Sequence, residues 1–373
     1  MMLGAVDGFV MTNAFVALAE SVSRGERGDT LVICHPSAPF ANAGFHQEVE
    51  REIDMNYCRE HGIPVVRRVI GGGAIADGPW EQDYFFISSL RSEATRGTLR
   101  DYYGRMLEPV SRVLHGLGIR AERQGLNDLA VDGRKISANG AVDIEDARVL
   151  TGDILLDLNI GMMTGILRVP DEKFRGKVAD TMAQYLTSVR EQKGQEVPRT
   201  AVERMLIHEF SIPYGGEHSQ SEFTELERER LEELVAERKT DAWLFEPSTA
   251  HSRLDSIVRD AEASRRVVKI REGMFVCRHD LKAQKLIRVT MLVNDDTIAD
   301  VSISGDFFTV PVGWSIRRLE DALKGSRLEE EEVLSAVRKL IAADGVTVLG
   351  ATAEDFAHAV IEAAEHPLVT AGR

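Results

Sequence analysis

Three consecutive glycines directly after an apolar, arginine-bearing run constrain this chain more than any other segment: Arg67-Arg68-Val69-Ile70-Gly71-Gly72-Gly73-Ala74-Ile75-Ala76-Asp77-Gly78. Glycine loses more backbone freedom on folding than any other residue, so such a triplet needs a physical reason. Two readings stay open from these residues alone. One is a flexible hairpin turn in an antiparallel sheet. The other is a loop that lets a ligand approach the backbone. Its successive N–H groups then form an anion nest, and the two arginines add donors for a carboxylate or phosphate. The segment is not a Walker loop, because GxxxxGK[ST] is absent. Nor is it a dinucleotide-binding fingerprint, because no GxGxxG opens a helix.

Around it, short β-rich runs alternate with amphipathic stretches. Strands are expected over 30–34, 65–70, 84–87 and 154–158. Helices are expected over 48–61, where Gly62 and Pro64 supply the stop, and over 98–117, where Leu99, Tyr102, Tyr103, Met106, Val110, Val113, Leu114 and Leu117 recur at helical spacing. Further helices are expected over 173–192, 200–212 and 221–238, the last a solvated Glu/Arg face. Asp132-Gly133 between two apolar runs predicts a tight hairpin, 128–131 with 134–137. A polar stretch at 246–255 reads as a linker. Beyond it the pattern gives strands over 265–276, 285–293 and 297–304, a turn at Asp295-Asp296, and helices over 315–324, 329–343 and 353–365. The expectation is a mixed α+β fold: a large domain at 1–245, a small α+β domain at 256–345 and a helical tail at 346–373.

Composition closes several routes. Of 373 residues, 43% are hydrophobic and 28% charged, which suits a globular chain. No uncharged apolar run reaches the ~18 residues of a membrane helix. The start lacks a basic region and is interrupted by Asp7 and Glu20, so no signal peptide is expected. Cys34, Cys58 and Cys277 fit neither a disulfide framework nor a CxxC knuckle, and point to a cytoplasmic, reduced protein. The formal charge of −15 argues against nucleic acid as a partner. The histidines are scattered with no HxxxH or HExxH spacing, so no zinc site is expected.

A second segment bears chemistry: Gly125-Leu126-Asn127-Asp128-Leu129-Ala130-Val131-Asp132-Gly133-Arg134-Lys135-Ile136-Ser137-Ala138-Asn139-Gly140-Ala141. Lys135, followed by apolar and small residues, reads as an ammonium aimed into a pocket. Asn127 and Asp128 are suited to a metal–phosphate or a ribose hydroxyl. The competing reading is a surface hairpin with a solvated lysine.

Taken together, the two segments resemble lipoate–protein ligases. RRVIGGGAIADG is similar to that family's RRxxGGGAVxHD signature, and NDLAVDGRKISANGA to its ND…KISGSA element, in the same order. Asn13–Glu20 resembles the family's opening helix, Gly44-Phe45-His46-Gln47 its Gly-aromatic-x-Gln segment, and Leu167–Phe174 its LxVPxxK stretch, while Trp243 resembles the tryptophan that closes the catalytic domain. Lys285–Val289 and Ile303–Phe308 resemble the KLxRV and ISGDFF stretches of the family's accessory domain.

The resemblance implies the biotin/lipoate ligase fold, a class II synthetase-like mixed sheet with helices, with a small accessory domain fused behind it. It implies lipoate and ATP as substrates with Mg²⁺, activation to lipoyl-AMP, and transfer to a lysine of an acceptor protein, either a lipoyl domain or an H-protein-like carrier. By residue, it implies Lys135 at the reacting acyl-phosphate. Arg68, Ile70, Gly71, Gly72, Gly73, Ala74, Phe45 and His46 would lie at the acyl group, Asn127, Asp128, Ser137, Ala138 and Lys173 at the nucleotide, and Asp128 on the metal. Lys173, Arg175 and Lys177 form a candidate patch for an acidic acceptor. Departures cluster at the acyl and nucleotide ends. Ile70 replaces a hydroxyl residue, Asp77-Gly78 replaces His-Asp, Trp80-Glu81 replaces Gly-Asn, and Thr151-Gly152-Asp153 replaces His-Gly-Thr. The alternatives are an octanoyl or lipoyl transferase of the same fold, which needs a catalytic thiol after the glycines, and a non-catalytic lipoyl-protein binding module. No cysteine lies between 59 and 276.

Overall fold

A computed structural model of the chain describes residues 1–168, 175–216, 218–245, 254, 274–311 and 314–366. They fall into two compact units, and the chain passes between them more than once. Met1–Asn42, Glu50–Arg68 and Ile75–Thr240 make the first unit; Ala43–Val49, Val69–Ala74 and Asp241–Arg373 make the second. The short segments carrying Phe45-His46 and the glycines are thus counted with the C-terminal half of the chain.

Up to Thr240 the strands are β1 (Met2–Val6), β2 (Thr30–Pro36), β3 (Phe40–Ala43), β4 (Val65–Arg67), β5 (Ile75–Asp77), β6 (Glu81–Ser89), β7 (Glu122–Gln124), β8 (Asp128–Val131), β9 (Arg134–Ser137), β10 (Asn139–Ile144) and β11 (Ala147–Leu155). The main sheet has the order β1-β2-β6-β11-β10, with β1 parallel to β2 and the other pairs antiparallel. Two further three-stranded sheets have the orders β4-β3-β5 and β7-β8-β9. β6 is buried along almost its whole length, so its sequence shows no polar alternation. Tyr84 and Phe86 join a core with Tyr102, Val110 and Leu114 of helix Leu99–Gly116 and with Leu206 and Phe210 of helix Arg199–Ser211. Phe85 turns to the other face and meets Phe15 of helix Gly8–Ser23, ring centroids 5.2 Å apart. Each such side chain, fully buried, contributes about 1.5–3 kcal/mol.

Caps fix the helix starts. Asp7 Oδ1 accepts from the amides of Phe9 and Val10. Thr98 and Asp101 form a reciprocal box at the head of helix Leu99–Gly116, as do Thr224 and Glu227 at Glu225–Arg238. A cap of this kind is worth about 1 kcal/mol.

Several expectations need correction. The helix expected over 48–61 is two short ones, Val49–Glu52 and Met55–Glu60. Between them Ile53 bridges to Leu167, and Asp54 caps the second by accepting from the amides of Asn56 and Tyr57. A short carboxylate side chain there competes with the helix for backbone donors. The expected helix over 173–192 is described as Arg175–Tyr185 and Val189–Lys193, separated where Ser188 accepts from the Glu191 amide. The strand expected over 154–158 is the end of the longer β11, which forms a hairpin with β10 that the sequence did not announce. Its turn has Glu145 at φ 48°, a conformation with no glycine or asparagine to signal it. Strand 65–70 stops at Arg67, before the glycines.

The second unit holds β12 (Met274–Lys282), β13 (Leu286–Asn294) and β14 (Thr297–Gly305) as an antiparallel meander, and β15 (Phe308–Val310) paired with β16 (Thr347–Leu349). Asp295, at φ 54°, makes the β13–β14 turn. Helices Arg317–Leu323, Glu330–Asp344 and Ala353–Glu365 supply Leu319, Val337, Phe356 and Val360 to a core with Val289, Met291 and Phe307. The last helix, from the region expected as a tail, is therefore part of this core. The linker at 246–255 lies outside the described residues apart from Leu254, as does the first part of the strand expected over 265–276.

Candidate active site

In the first unit the hairpin β8–β9 carries Lys135. Asp132 and Gly133 turn it with φ of 49° and 78°, the primed geometry expected of Asp-Gly. Lys135 pairs with Ala130 across the ribbon, and its Nζ lies 2.8 Å from Asp128 Oδ2. Neighbouring Arg134 is turned elsewhere, donating to the Leu186 carbonyl and pairing with Glu191. Asn127 and Asn139 exchange side-chain bonds with each other's carbonyls. Asn139 also donates to Ser137 Oγ at 3.1 Å and receives the Tyr84 hydroxyl. Gly152 completes this knot, because a Cβ there would meet Asn139 Oδ1 at 2.1 Å. The Ala138 amide donates to Asp153 Oδ1 at 2.8 Å. Of the residues expected at the nucleotide, Asn127, Asp128, Ser137 and Ala138 lie on or beside the hairpin that carries Lys135. Their polar groups largely bond one another.

Arg68 donates to the Asn42 carbonyl at 3.0 Å, and Asn42 donates to Asp77 Oδ2 at 2.7 Å. Burial brings the Arg68 guanidinium down to about 10, with the Asp77 charge opposing the shift. Burial pushes the Asp77 carboxyl up to about 6.

A row of carboxylates, which sequence reasoning missed, adjoins these residues. Glu81 and Asp83 lie on one face of β6 by alternation, and Asp153 stands directly opposite Asp83 on β11. Glu81 Oε1 accepts from the Gly78 amide at 3.0 Å. Asp83 is 6% exposed, and its Oδ2 has no hydrogen-bond partner. Burial pushes Glu81 and Asp83 well above the usual carboxylate range, and neighbouring carboxylates add to it. It lifts Asp153 to about 7, against the pull of the Ala138 amide and of Lys135. The only signal in the sequence was the i, i+2 spacing of Glu81 and Asp83; Asp153 joins them through strand register alone.

The glycine segment lies in the second unit. Phe45 donates its amide to the Ile70 carbonyl at 3.0 Å, and Phe45, Val69 and Ile70 are buried. The three glycines have different reasons. A Cβ on Gly71 would lie 2.3 Å from the Phe307 carbonyl oxygen, Gly72 has φ 97°, and a Cβ on Gly73 would meet nothing within 4 Å. Ala74 follows, half-buried. His46 is buried, stacks on Phe307 at 4.8 Å and shares a 3.0 Å hydrogen bond between Nε2 and Thr309 Oγ1. Phe45 packs near Trp243, centroids 6.1 Å apart. Lys173 lies outside the described residues, as do the side chains of Arg175 and Lys177.

Asp128 Oδ2 is bound to Lys135, and among the described residues no group of three or more His, Cys, Asp or Glu could hold a metal ion. Among the described residues no helix is long and apolar enough to cross a membrane.

The family description "lipoyl protein ligase A/B catalytic domain" matches residues 14–211, and "bacterial lipoate protein ligase C-terminus" matches residues 286–360. The chain belongs to the lipoyl protein ligase A/B family. A lipoate–protein ligase of Streptococcus pyogenes is 27% identical, over 94% of this chain and 96% of its own length. Lipoate-protein ligase LplJ of Bacillus subtilis is 27% identical, and there the match spans only 61% of the relative's length. Octanoyltransferase LipM of Kyrpidia tusciae is also 27% identical, over 60% of this chain and 89% of its own length. A solved bi-partite lipoate protein ligase of Thermoplasma acidophilum, described with its E2 lipoyl domain, superposes with TM-score 0.57 at 25% identity, covering 65% of this chain and 94% of that one. Lipoate-protein ligase A bound with ATP has TM-score 0.54 at 21% identity, covering 65% and 97%, a likeness of fold. The mixed sheet with helices and the fused C-terminal α+β unit are thus the architecture of this family.

Proposed function

We propose that this chain is an ATP-dependent lipoate–protein ligase. It joins lipoate to AMP with release of pyrophosphate, then passes the lipoyl group to a lysine of a lipoyl-domain acceptor. The observation that carries this reading is the paired ammonium of Lys135, held on a hairpin among the residues of the second motif. Activation brings a carboxylate against an α-phosphate, two anions, and a fixed cation offsets their repulsion and the charge that develops on the phosphate. Asn127, Asp128, Ser137 and Ala138 are assigned to the nucleotide end, with Asp128 holding Lys135, and Arg68 to the acyl-phosphate. Phe45, His46, Ile70, Gly71, Gly72, Gly73 and Ala74 are assigned to the lipoyl chain, whose apolar length suits buried Phe45 and Ile70. The catalytic assignment covers 1–245 and the accessory domain the region behind it. A cytoplasmic setting fits three unpaired thiols.

An octanoyltransferase is the second reading, since LipM is among the relatives. It requires a thiolate nucleophile, which forms where positive charge or exposure lowers the thiol pKa. Here Cys34, Cys58 and Cys277 are all buried and all pushed upward by burial, Cys34 further by Asp83 and Glu81. That arrangement favours the ligase.

The test is pyrophosphate release from ATP on addition of lipoate or octanoate, with mass spectrometry for retained acyl-AMP. A burst with either acid supports the reading and names the acyl group. A folded protein that releases none, yet moves an octanoyl group between carrier proteins, would establish the transferase. A folded protein that only binds lipoylated carriers would establish a binding module.

A further inference from the structure

The carboxylate row beside Lys135 is out of place in a site built for two anions. Asp153 and Asp83 face each other across adjacent strands, Glu81 follows on the same face, and Asp77 is close enough to shift all three. Like charges directly opposite on neighbouring strands destabilise a sheet. The raised carboxyls take up protons in part relief of this conflict, and a cation from outside would relieve it further. Of the protein's own cations facing the row, Lys135 is engaged by Asp128, and Arg68 donates to the Asn42 carbonyl. Arg199 donates to the carbonyls of Glu81 and Pro79 and to Gln82 Oε1. Burial, and after it the charge of Arg199, lower the His35 imidazole. Within the row, Asp83 Oδ2 is buried with no hydrogen-bond partner, although the charge of Arg199 acts on Asp83. Asp153 is only half-buried, and one of its oxygens is fixed by the Ala138 amide three residues from Lys135.

We propose that Asp153 receives the ammonium of the acceptor lysine, with Asp83 and Glu81 behind it, and acts as the general base of the transfer step. This inference rests on the ligase reading. One proton passes from the lysine Nζ to the Asp153 carboxylate, giving a neutral amine and a carboxylic acid. The amine attacks the acyl carbon of acyl-AMP. The C–N bond forms, the acyl C–O bond breaks with its electron pair going to AMP, and the second amine proton leaves with the phosphate. A carboxyl lifted to about 7 has the proton affinity such a base needs at neutral pH.

The test presents preformed lipoyl-AMP on the full-length protein to two nucleophiles, a lipoyl-domain acceptor and hydroxylamine. Hydroxylamine is already neutral at pH 7 and needs no base. In D153N, transfer to the lysine acceptor should fall about 100-fold while hydroxylamine release changes less than about 3-fold, and D153E should recover part of the loss. In the unaltered protein, lysine transfer should rise from pH 6 and level off near pH 8, whereas in D153N it should keep rising with pH, and hydroxylamine release should change by no more than about 2-fold. Equal losses with both nucleophiles, undiminished lysine transfer in D153N, or identical pH profiles would each overturn the assignment while leaving the ligase standing. Absence of acyl-AMP formation by the unaltered protein would remove the ligase reading and this inference with it.

Discussion

Lys135 Nζ stands 2.8 Å from Asp128 Oδ2, two residues along the partner strand from its register mate Ala130. Both side chains are partly exposed, so the pair adds little to stability. Its consequence is directional: the ammonium is held in one place before any ligand arrives. We expect K135A to fold normally and to lose at least ~3 kcal/mol of transition-state stabilisation, the scale of one preorganised donor. Pyrophosphate release with saturating ATP and lipoate measures this. A K135A rate within a few-fold of the unaltered protein would show that the hairpin lysine is bystander charge.

What the sequence made legible follows from which forces are local. Helix Leu99–Gly116 was readable because its cap, Thr98, and its apolar period lie in one stretch, and β14 because Asp295 and Gly305 bracket it. The Asp132-Gly133 hairpin announced its own turn. The β10–β11 hairpin did not, because Glu145 takes the left-handed conformation without a marker residue. The break at Ile53–Asp54 depends on a bridge to Leu167, more than a hundred positions away. The carboxylate row is invisible for the same reason: Asp83 and Asp153 meet only through strand register. The glycine motif showed that the backbone was constrained, and the fold supplies separate causes at Gly71 and Gly72 and none at Gly73.

Stability should fall as pH rises through neutrality. Asp77 and Asp153 titrate near 3.8 when unfolded but at about 6 and about 7 when folded. The native state therefore holds more protons than the unfolded state between roughly pH 4 and 7, and each excess proton costs about 1.4 kcal/mol of stability per pH unit across that window. His35, lowered by burial, acts in the opposite sense below pH 6.5, so the difference between variants is the cleaner readout. Urea midpoints of D153N and the unaltered protein should converge below about pH 4 and be fully separated above about pH 7, with D153N the more stable. A constant gap across this range would remove the assigned titration.

The thiols should be chemically quiet. Cys58 is buried on helix Met55–Glu60 and pushed up to about 11. Iodoacetamide at pH 7.5 should leave the native protein unlabelled over the time in which the urea-unfolded protein is labelled fully, and C58A should retain acyl transfer. Loss of transfer in a folded C58A, or rapid native labelling, would revive the thiol mechanism.

Substitutions along the glycine triplet should separate packing from ligand access. At Gly71 a methyl would be driven into the Phe307 carbonyl at 2.3 Å, and backbone cannot swing aside as a side-chain tip can. G71A should therefore cost about 1–3 kcal/mol, the usual range for overpacking. At Gly72 the cost is conformational, because φ 97° is strained for any L side chain, again about 1–3 kcal/mol. At Gly73 the added methyl meets open space and φ is unexceptional, so G73A should change stability by no more than about 0.5 kcal/mol. If the third glycine is there for a ligand's approach, its loss appears only when the ligand is present: G73V should raise the KM for lipoate while leaving the urea midpoint in place. Urea unfolding and lipoate titration of pyrophosphate release, run on the same preparations, read the two effects apart. G71A as stable as the unaltered protein would break the packing account, and G73V with unchanged KM would remove Gly73 from the acyl site.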